Sequence, residues 1–335
     1  MTDSPTSAKS GFPRSFLRSI DPAVATAFAC ILVLLLIAAT TNPDFLSPEY
    51  LLIQLQSASF LAMMSTGMML VILLGQIDLS LPWIITVGGM MSTAAAGWGP
   101  WGPAVAIPVG VLCGVIFGII NGIGVAYLRV PSMIFTLGIN AVAQGFMIMR
   151  TGGAAPQDMA PDSMHYLATG RFLFGVIPNP VLVWIVVGAV IVFLLRKTVF
   201  GRAIYAIGNR EAAAYLSGIS TQRVVVAVFA ISGGLAAFAG TLLAGYSTKA
   251  YQGMGDPYLL PAIAAVVLGG TSILGGRGTY IGTVAGVILI TLLQSILSVI
   301  RIQGIEITEA HRQVVYGIVI VAMLLLYGRG AKVTA

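Results

Sequence analysis

Residues 27–39 read AFACILVLLLIAA, an unbroken apolar run that is hydrophobic on every side. The strands of a membrane β-barrel alternate apolar and polar residues over about ten positions, so this run does not fit such a strand. A membrane-spanning helix needs about 20 mainly apolar residues, and similar runs recur along the chain. The sequence therefore predicts an all-α polytopic membrane protein with about ten transmembrane helices, some of them broken or re-entrant.

The composition points the same way. Of the 335 residues, 58% are hydrophobic and only 8% are charged, whereas soluble domains carry about 25% charged residues. A water-soluble enzyme is therefore not expected. The formal net charge is +6, but the basic residues are scattered at the ends of apolar runs instead of being clustered with aromatic ones. We therefore predict that the protein contacts the lipid bilayer and that its basic residues do not bind nucleic acid.

Residues 23–327 are predicted to form one transmembrane domain, with a disordered tail at 1–22 and a second tail at 328–335. The first apolar run is longer than the core of a signal peptide and lacks a good cleavage site, which favours an uncleaved span. The predicted spans are 23–39, 51–74, 82–97, 104–128, 132–149, 179–195, 224–246, 257–275, 279–300 and 312–327.

The distribution of positive charge predicts the orientation. With the amino terminus inside, twelve of the 17 Lys and Arg residues fall on the inner side and five on the outer side, as the positive-inside rule requires. Both tails and the long connection 196–223 are then cytoplasmic, and the long connection 150–178 is periplasmic. The outer connection is rich in Gly and Pro and is predicted to carry a short surface helix; the alternative is a structureless spacer.

The segment GQIDLSLP, residues 75–82, interrupts the apolar pattern between two spans. It places Asp78 and Ser80 ahead of Pro82, which suits the first turn of a helix. An ionisable group near membrane depth suggests a functional role, and broken helices in transporters tend to line the solute path. Asp78 and Ser80 are therefore predicted to line a path, although capping of the following helix would also explain them.

Four polar side chains lie inside other predicted spans and are also candidates for the path: Asn121, Thr136, Asn140 and Gln144. Asn140 and Gln144 are four residues apart and so share one face of a helix. Hydrogen bonding between helices is the alternative explanation for all four.

Glycine marks two further regions. Gly110, Gly114, Gly118 and Gly122 recur at every fourth position, which predicts close helix packing within one subunit; the alternative is a seam between subunits or a moving interface. The segment LGGTSILGGRGT at residues 268–279 has five glycines. Such backbone cannot form a stable helix facing lipid, so we expect either a turn at the membrane surface or a segment buried in protein.

Several functions are disfavoured by what the sequence lacks. Coupling to protons or sodium generally needs acids or histidines within the membrane, and Asp78 is the only such candidate. There is no G-x-x-x-x-G-K-[ST] phosphate loop, so the chain is not expected to hydrolyse ATP by itself. No spacing of His, Cys or carboxylate residues suggests a metal. We predict no catalytic residue, no cofactor and no metal.

The inner connection contains the pattern of a short exposed helix. Asn209 is predicted to cap it, Glu211 suits its first turn, and Gly218 suits its end. A short helix with small Ala faces between basic flanks fits the groove of a soluble partner, although a purely structural role is the alternative.

Over nearly all of residues 45–327 the chain resembles the permease subunits of ribose-type sugar ABC importers. The motifs that carry the resemblance, in this order and spacing, are Gly75-Gln-Ile-Asp-Leu-Ser80, Asn121-Gly122, Val130-Pro-Ser132 with Thr136-Leu-Gly138, Thr198-x-x-Gly-Arg-x-x-Tyr-Ala-x-Gly-Asn-x-x-Ala-Ala213 with Leu216-Ser-Gly-Ile219, Ser232-Gly233, and Ala262-Ile-Ala-Ala-Val-Val-Leu-Gly-Gly-Thr-Ser272 with Gly275-Gly-x-Gly278.

The resemblance implies three partners: a second permease copy, a cytoplasmic ABC ATPase and a periplasmic sugar-binding protein. It implies translocation of a monosaccharide across the bacterial inner membrane by alternating access. The alternative function is a facilitative channel or a secondary carrier for a small polar solute. The residues that resemble the element docking into the ATPase are Gly201, Arg202, Asn209, Glu211, Ala212, Ala213 and Gly218.

The chain departs from the family pattern in two places. Gln76 and Pro82 stand where glycines are common around Asp-Leu-Ser, and Leu293-Gln294-Ser295 stands where Asn-Gly is frequent. These departures concern which solute is carried more than how it is carried.

Overall fold

The computed structural model describes residues 22–41, 43–173, 175–299, 301–302, 305–306, 308, 310–318 and 321. The tails predicted at 1–22 and 328–335 therefore lie, except for Pro22, outside the described residues. The helices are α1 (Pro22–Thr41), α2 (Pro48–Leu73), α3 (Leu81–Ala96), α4 (Gly102–Ala126), α5 (Ser132–Thr151), α6 (Asp162–Thr169), α7 (Asn179–Lys197), α8 (Val199–Asn209), α9 (Glu211–Leu216), α10 (Thr221–Tyr246), α11 (Leu259–Leu268) and α12 (Tyr280–Val299). Residues 310–318 are also helical.

The strands are short. Arg171–Phe172 (β1) pairs antiparallel with Ile177–Pro178 (β2), and Arg301–Ile302 (β3) pairs with Ile305–Glu306 (β4). Within the described residues, six helices are long and apolar enough to cross a membrane, namely α2, α4, α5, α7, α10 and α12, and shorter apolar helices accompany them. The prediction of an all-α polytopic membrane protein is confirmed at this level.

One predicted span is shorter than expected. The run 257–275 was predicted to be a single span, but α11 ends at Leu268. Gly270, Gly275 and Gly276 have positive φ angles of 86°, 89° and 72°, which only glycine adopts readily. The chain after Leu268 is therefore a series of turns, and the part of the prediction that extended the helix to 275 is wrong.

The centre of the protein is α2. Every residue from Ala58 to Leu73 is buried, because α7, α10, α11 and α12 pack around this helix. Helix α3 is also almost wholly buried. By contrast, α4 and α5 bury only about a fifth of their apolar windows. Apolar helices therefore lie in two environments. Helices α2 and α3 are enclosed by other helices, whereas most of the surface of α4 and α5 is exposed.

The glycine repeat of α4 makes a close backbone contact with α10. A Cβ atom added to Gly114 would lie 2.3 Å from the carbonyl oxygen of Gly233 in α10, and one added to Gly118 would lie 2.2 Å from that of Phe229. Such distances are far below van der Waals contact, so the two backbones touch only because Cβ is missing. We call this contact the α4/α10 seam; packing within one subunit, the first of the two predictions, accounts for the repeat.

The outer connection carries the predicted short helix, α6. It packs on the end of α10, where the imidazole Nδ1 of His165 lies 3.0 Å from the carbonyl oxygen of Gly245. Asn179 Nδ2 donates a hydrogen bond of 2.9 Å to the Tyr166 carbonyl. The connection is thus fixed to the membrane helices, and the alternative of a structureless spacer is wrong for this part of it.

Candidate substrate path and coupling surface

The break between α2 and α3 holds the two candidate residues of the GQIDLSLP segment. Asp78 is 1% exposed and Ser80 is fully buried. The carboxylate oxygen Oδ1 of Asp78 accepts hydrogen bonds from the backbone amide and from the hydroxyl of Ser80. Ser80 stands at the N-cap position of α3, yet its hydroxyl makes no capping bond. The capping role considered for Ser80 is therefore not present, because its backbone is already helical (φ −86°, ψ −8°) instead of extended as in a typical capping residue.

Side chains from α4 and α5 hold this break in place. Asn121 Nδ2 donates to the Ser80 hydroxyl at 2.7 Å, and the amide of Leu79 donates to the Thr136 hydroxyl at 2.9 Å. A non-helical segment among membrane helices must have its backbone amides satisfied by neighbouring protein. The Leu79–Thr136 bond satisfies such an amide, and the two contacts together connect three segments of the chain at one place.

Asn140 joins the same cluster more loosely. Its side-chain oxygen accepts from the amide of Trp83 at 3.4 Å, in the first turn of α3. Ser132, which was quoted only within a motif and not as a candidate path residue, accepts from the amide of Ile77 at 3.2 Å. Five of the six candidate path residues therefore converge on one break. The hydrogen bonds of Asn121, Thr136 and Asn140 to this break run between segments, as the alternative explanation for the polar residues expected.

Asn121 is only half satisfied. Its side chain is fully buried, and its oxygen Oδ1 has no hydrogen-bond partner in the described part of the chain. A buried polar atom without a partner costs free energy, about 1–3 kcal/mol. Such an acceptor next to Ser80 is available to a hydroxyl or a water molecule in another state of the protein.

Gln144 lies apart from the cluster. It is one turn beyond Asn140 on α5, but its side chain is exposed. None of the hydrogen bonds among the described residues involves it. A polar amide on an exposed face of a membrane helix is costly against lipid. The structure thus separates the two residues that the i, i+4 spacing placed together, with Asn140 turned towards α3 and Gln144 turned away from this chain.

The two glycine-rich breaks of the sequence meet each other. The amide of Gly276 donates to the carbonyl of Leu73, the last residue of α2, at 2.9 Å. A Cβ atom added to Gly75, where φ is 76°, would lie 3.0 Å from the carbonyl oxygen of Leu274. The segment that follows α11 therefore packs against the end of α2, and Gly276 is buried there. Leu274 is 79% exposed, so the segment combines both expectations, with one part at the surface and one part buried in protein.

Helix α8 reaches the same point. A Cβ atom added to Gly208 would lie 1.9 Å from the Leu73 carbonyl oxygen and 2.5 Å from the amide nitrogen of Gly276. Tyr205, one turn earlier, donates a hydrogen bond of 2.9 Å to the carbonyl of Gly278. Burial raises the pKa of Tyr205, with Arg196 acting in the opposite direction, so its hydroxyl stays a donor. We call this meeting of Leu73, Gly75, Gly208 and Gly276 the glycine junction.

The short helix of the inner connection is α9, and it is exposed. Glu211, Ala212, Ala213 and Gly218 all lie at the surface, and Gly218 has a φ of 82° at the turn that ends the helix. The predicted cap is wrong: Asn209 is the last residue of α8, and Arg210 precedes α9 without a side-chain cap. The reason is that residues 199–209 continue as an amphipathic helix instead of forming the expected loop.

The remaining coupling candidates divide into two kinds. Arg202 is exposed on α8, as is Asn209, whereas Gly201 is buried. A Cβ atom on Gly201 would lie 2.4 Å from the carbonyl oxygens of Leu194 and Leu195 at the end of α7. Gly201 therefore positions α8 against α7 and is not itself part of an exposed surface.

Two exposed residues of α9 were missed. Tyr215 is 69% exposed and Leu216 is 85% exposed. Large apolar side chains on the surface of a helix often mark a contact with another protein. Their signal in the sequence is weak, because one aromatic and one aliphatic residue after three alanines look the same whether they face the core or a partner.

The chain is similar to known transport proteins. Residues 50–324 match the family described as branched-chain amino acid transport system, permease component. The ribose import permease protein of Haemophilus influenzae is 35% identical over 280 residues, which are 83% of this chain and 86% of that protein. The ribose import permease protein of Bacillus subtilis is 36% identical over 301 residues, 89% of this chain and 91% of that protein.

A third relative is named for another solute. The L-arabinose ABC transporter permease protein of Azospirillum brasilense is 33% identical over 280 residues, 81% of this chain and 80% of that protein. The family match over residues 50–324 includes both the break at Asp78 and the exposed helix α9. The chain belongs to this family of transport-system permease components, among the ribose-type permeases of ABC importers.

Proposed function

We propose that this chain is the membrane subunit of an ATP-driven importer that carries a monosaccharide across the bacterial inner membrane by alternating access. The observation that carries the proposal is the break at Asp78 and Ser80, where polar residues from three segments converge inside an otherwise apolar protein. The three relatives described above are named for ribose or arabinose, whereas the family description names amino acids, so the sugar is part of the proposal.

The proposed assembly has two copies of the chain, a cytoplasmic ABC ATPase and a periplasmic sugar-binding protein. In this assembly the chain has ten spans, both termini are cytoplasmic, and the domain limits are those predicted from the sequence. The positive charge on the inner side supports that orientation. Gln144 then faces the second copy across the solute path, where a side-chain amide can bind a sugar hydroxyl instead of facing lipid.

The path itself is weakly polar in this proposal. Asp78, Ser80, Asn121, Thr136 and Asn140 lie beside it, and the free oxygen of Asn121 is the atom best suited to accept a hydrogen bond from the solute. Weak polarity is sufficient because selection of the sugar rests with the binding protein, and tight binding within the path would slow release.

The glycine junction supplies a mechanical connection for the ATPase. Closure of the ATPase would push on α9 through Tyr215 and Leu216, and α8 would transmit the displacement as a rigid helix. At Gly208 the backbone of α8 contacts the backbone of Leu73 and Gly276 directly. Because no side chain lies between them to absorb the motion, a shift of α8 must move the end of α2, and with it the break that contains Asp78.

The test is to purify the chain from its native membranes in mild detergent and to identify its stoichiometric companions by mass spectrometry. We expect an ABC ATPase with one or two nucleotide-binding modules per pair of permeases. The purified assembly, the assembly with a hydrolysis-deficient ATPase, and the chain alone are then placed in liposomes with the sugar-binding protein and labelled ribose.

Uptake that needs both ATP and the active ATPase supports the proposal. Uptake by the chain alone, down a sugar gradient and without ATP, would overturn it in favour of a facilitative channel or secondary carrier. If the assembly hydrolyses ATP but transports none of ribose, arabinose or other monosaccharides, the assignment as an ABC importer stands and the assignment of a monosaccharide substrate is rejected.

A further inference from the structure

A long groove follows the outer side of the α4/α10 seam. On α4 its wall is a single row of side chains at every fourth position, which stack along one face of the helix. This row consists of Ile107, Val111, Val115, Ile119, Ile123 and Tyr127. Twenty residues of helix rise about 30 Å, close to the thickness of the hydrocarbon core of a bilayer.

The opposite wall, on α10, combines small and large residues. Ala227, Ala230 and Gly234 line it, together with the larger Val226, Ile231, Leu235 and Phe238. A Cβ atom on Gly234 would lie 2.9 Å from Cγ2 of Val115. The three small residues leave room for a furrow between the larger side chains of the two helices. The half of the furrow that ends at Arg223 has a volume of about 640 Å³, and its neighbour, which shares Ala230, has about 520 Å³.

The two ends of the groove differ in charge. One end is apolar, whereas Arg223 and Tyr127 face each other across the other end. Arg223 is exposed and has no ion pair or hydrogen bond among the described residues. An arginine and a tyrosine at a helix end are typical of the boundary between the hydrocarbon and the headgroups, where the cation lies beside lipid phosphates.

We propose that the Arg223 half of this groove is a binding site for an anionic phospholipid, with one acyl chain along Ile119 and Ile123 and the phosphate on the Arg223 guanidinium. The groove is apolar along its length and has one cation, Arg223, at one end, as a phospholipid has apolar acyl chains and a charged headgroup. Guanidinium binds phosphate by paired hydrogen bonds, so the headgroup contact has a preferred geometry.

A bound lipid would act on the seam itself. Helices α4 and α10 are both exposed along the groove, and the seam beneath it is held by backbone contact. An acyl chain filling the furrow adds dispersion contacts with both helices that loose lipid would make only intermittently. The site is therefore expected to stabilise the pairing of α4 with α10, independently of which solute the protein carries.

The experiment measures lipid binding to the full chain, purified and delipidated in mild detergent, by native mass spectrometry. Phosphatidylglycerol and phosphatidylcholine with the same acyl chains are titrated in parallel. We expect one tightly bound phosphatidylglycerol per chain and weaker binding of phosphatidylcholine. Arg223→Gln should weaken phosphatidylglycerol binding about five-fold and phosphatidylcholine binding less, because the choline cation already neutralises the phosphate of that lipid. Arg129→Gln, a cation near the same helix end that does not line the groove, is the matched control.

Equal affinity of wild type and Arg223→Gln would overturn the proposal, as would an equal loss in Arg129→Gln, which would indicate only a diffuse effect of charge. A second variant tests occupancy of the groove by protein. Ile123→Cys, in a chain with Cys30→Ser and Cys113→Ser, is oxidised in membranes. A disulfide-linked dimer would show that a second copy covers the groove, and the lipid site would then be rejected.

Discussion

The α4/α10 seam and the glycine junction use the same residue for opposite purposes. At the seam, Gly114 and Gly118 lie in the middle of a regular helix, and the contact with α10 continues over several turns. At the junction, Gly75 and Gly276 have positive φ angles, and separate breaks in the chain meet at one point. A contact spread along two helices resists sliding, whereas a point contact between turns permits rotation. The comparison suggests that the seam is fixed during transport and the junction moves.

The largest expected effect tests the fixed region. Gly114→Leu places atoms where the Gly233 carbonyl and Ala237 already lie. We expect a loss of about 3 kcal/mol or more of stability, since overpacking at a backbone contact cannot relax locally. The measurement is the yield of monodisperse protein by gel filtration, together with thermal unfolding in detergent.

The matched control is Gly138→Leu on α5. No atom lies within 4 Å of a Cβ added at Gly138, so this variant should give nearly the yield of the wild type. If both leucine variants were recovered equally well, the seam would not be the rigid contact inferred from its distances.

The next effect compares the same added methyl group in both regions. Gly118→Ala and Gly208→Ala introduce similar clashes, 2.2 Å and 1.9 Å from a carbonyl oxygen. Gly118→Ala should reduce the amount of folded protein. Gly208→Ala should retain folding and ATPase binding but lower ATP-driven uptake about ten-fold, because the coupling step is disturbed. The measurement is uptake per assembled complex in liposomes.

The comparison would fail if the two alanine variants behaved alike. Equal loss of folded protein would make the junction as rigid as the seam. Equal and undiminished uptake would mean that α8 transmits nothing through Gly208.

A smaller effect is expected at the exposed end of the coupling route. Glu211→Lys and Leu216→Ser change side chains that lie on the surface of α9. Each should weaken binding of the ATPase about ten-fold while the fold is unchanged, because the substitution touches only a partner contact. Co-purification and titration of the ATPase onto the immobilised permease measure this.

Tyr166→Ser on α6 is the control for that experiment, since Tyr166 is 62% exposed but belongs to the outer connection. Unchanged ATPase affinity in both α9 variants would count against α9 as the docking helix.

The smallest effect concerns the path. Gln144→Leu removes an exposed amide from α5 and should leave thermal stability unchanged, because Gln144 contributes no hydrogen bond within the described residues. If Gln144 contacts the solute, uptake should fall about five-fold through loss of one hydrogen bond. Val142→Leu, also exposed on α5, is the control. Uptake equal to the wild type in Gln144→Leu would remove Gln144 from the path.

Much of this fold could be predicted from the sequence because the hydrophobic pattern alone marks the spans. The breaks at Asp78 and after Leu268 were recognisable from polar and glycine residues. The contact between these two breaks could not be predicted. Gly75 and Gly276 are about two hundred residues apart in the chain, and a glycine has no side chain whose character would indicate what packs against it.

The sequence predicted which residues belong to the candidate site better than it predicted how they contact one another. Asn121 and Thr136 were found because polar residues are conspicuous in apolar helices. Their roles depend on rotation of the helix about its axis, which the sequence constrains poorly, and so Gln144 could not be separated from Asn140. Asn209 was misjudged for a local reason, because a good capping residue is also tolerated at the end of the preceding helix.

The burial of α2 has a consequence for how the chain is made. This helix is synthesised second but is enclosed by α7, α10, α11 and α12, most of which leave the ribosome much later. Until those helices are synthesised, α2 must contact lipid or the insertion machinery instead of its final packing partners. The centre of the protein is therefore assembled last, around a helix that is inserted early. In a nascent chain that stops before α10, most of the helices that bury α2 would be missing, and quality-control proteases would meet α2 without its packing partners.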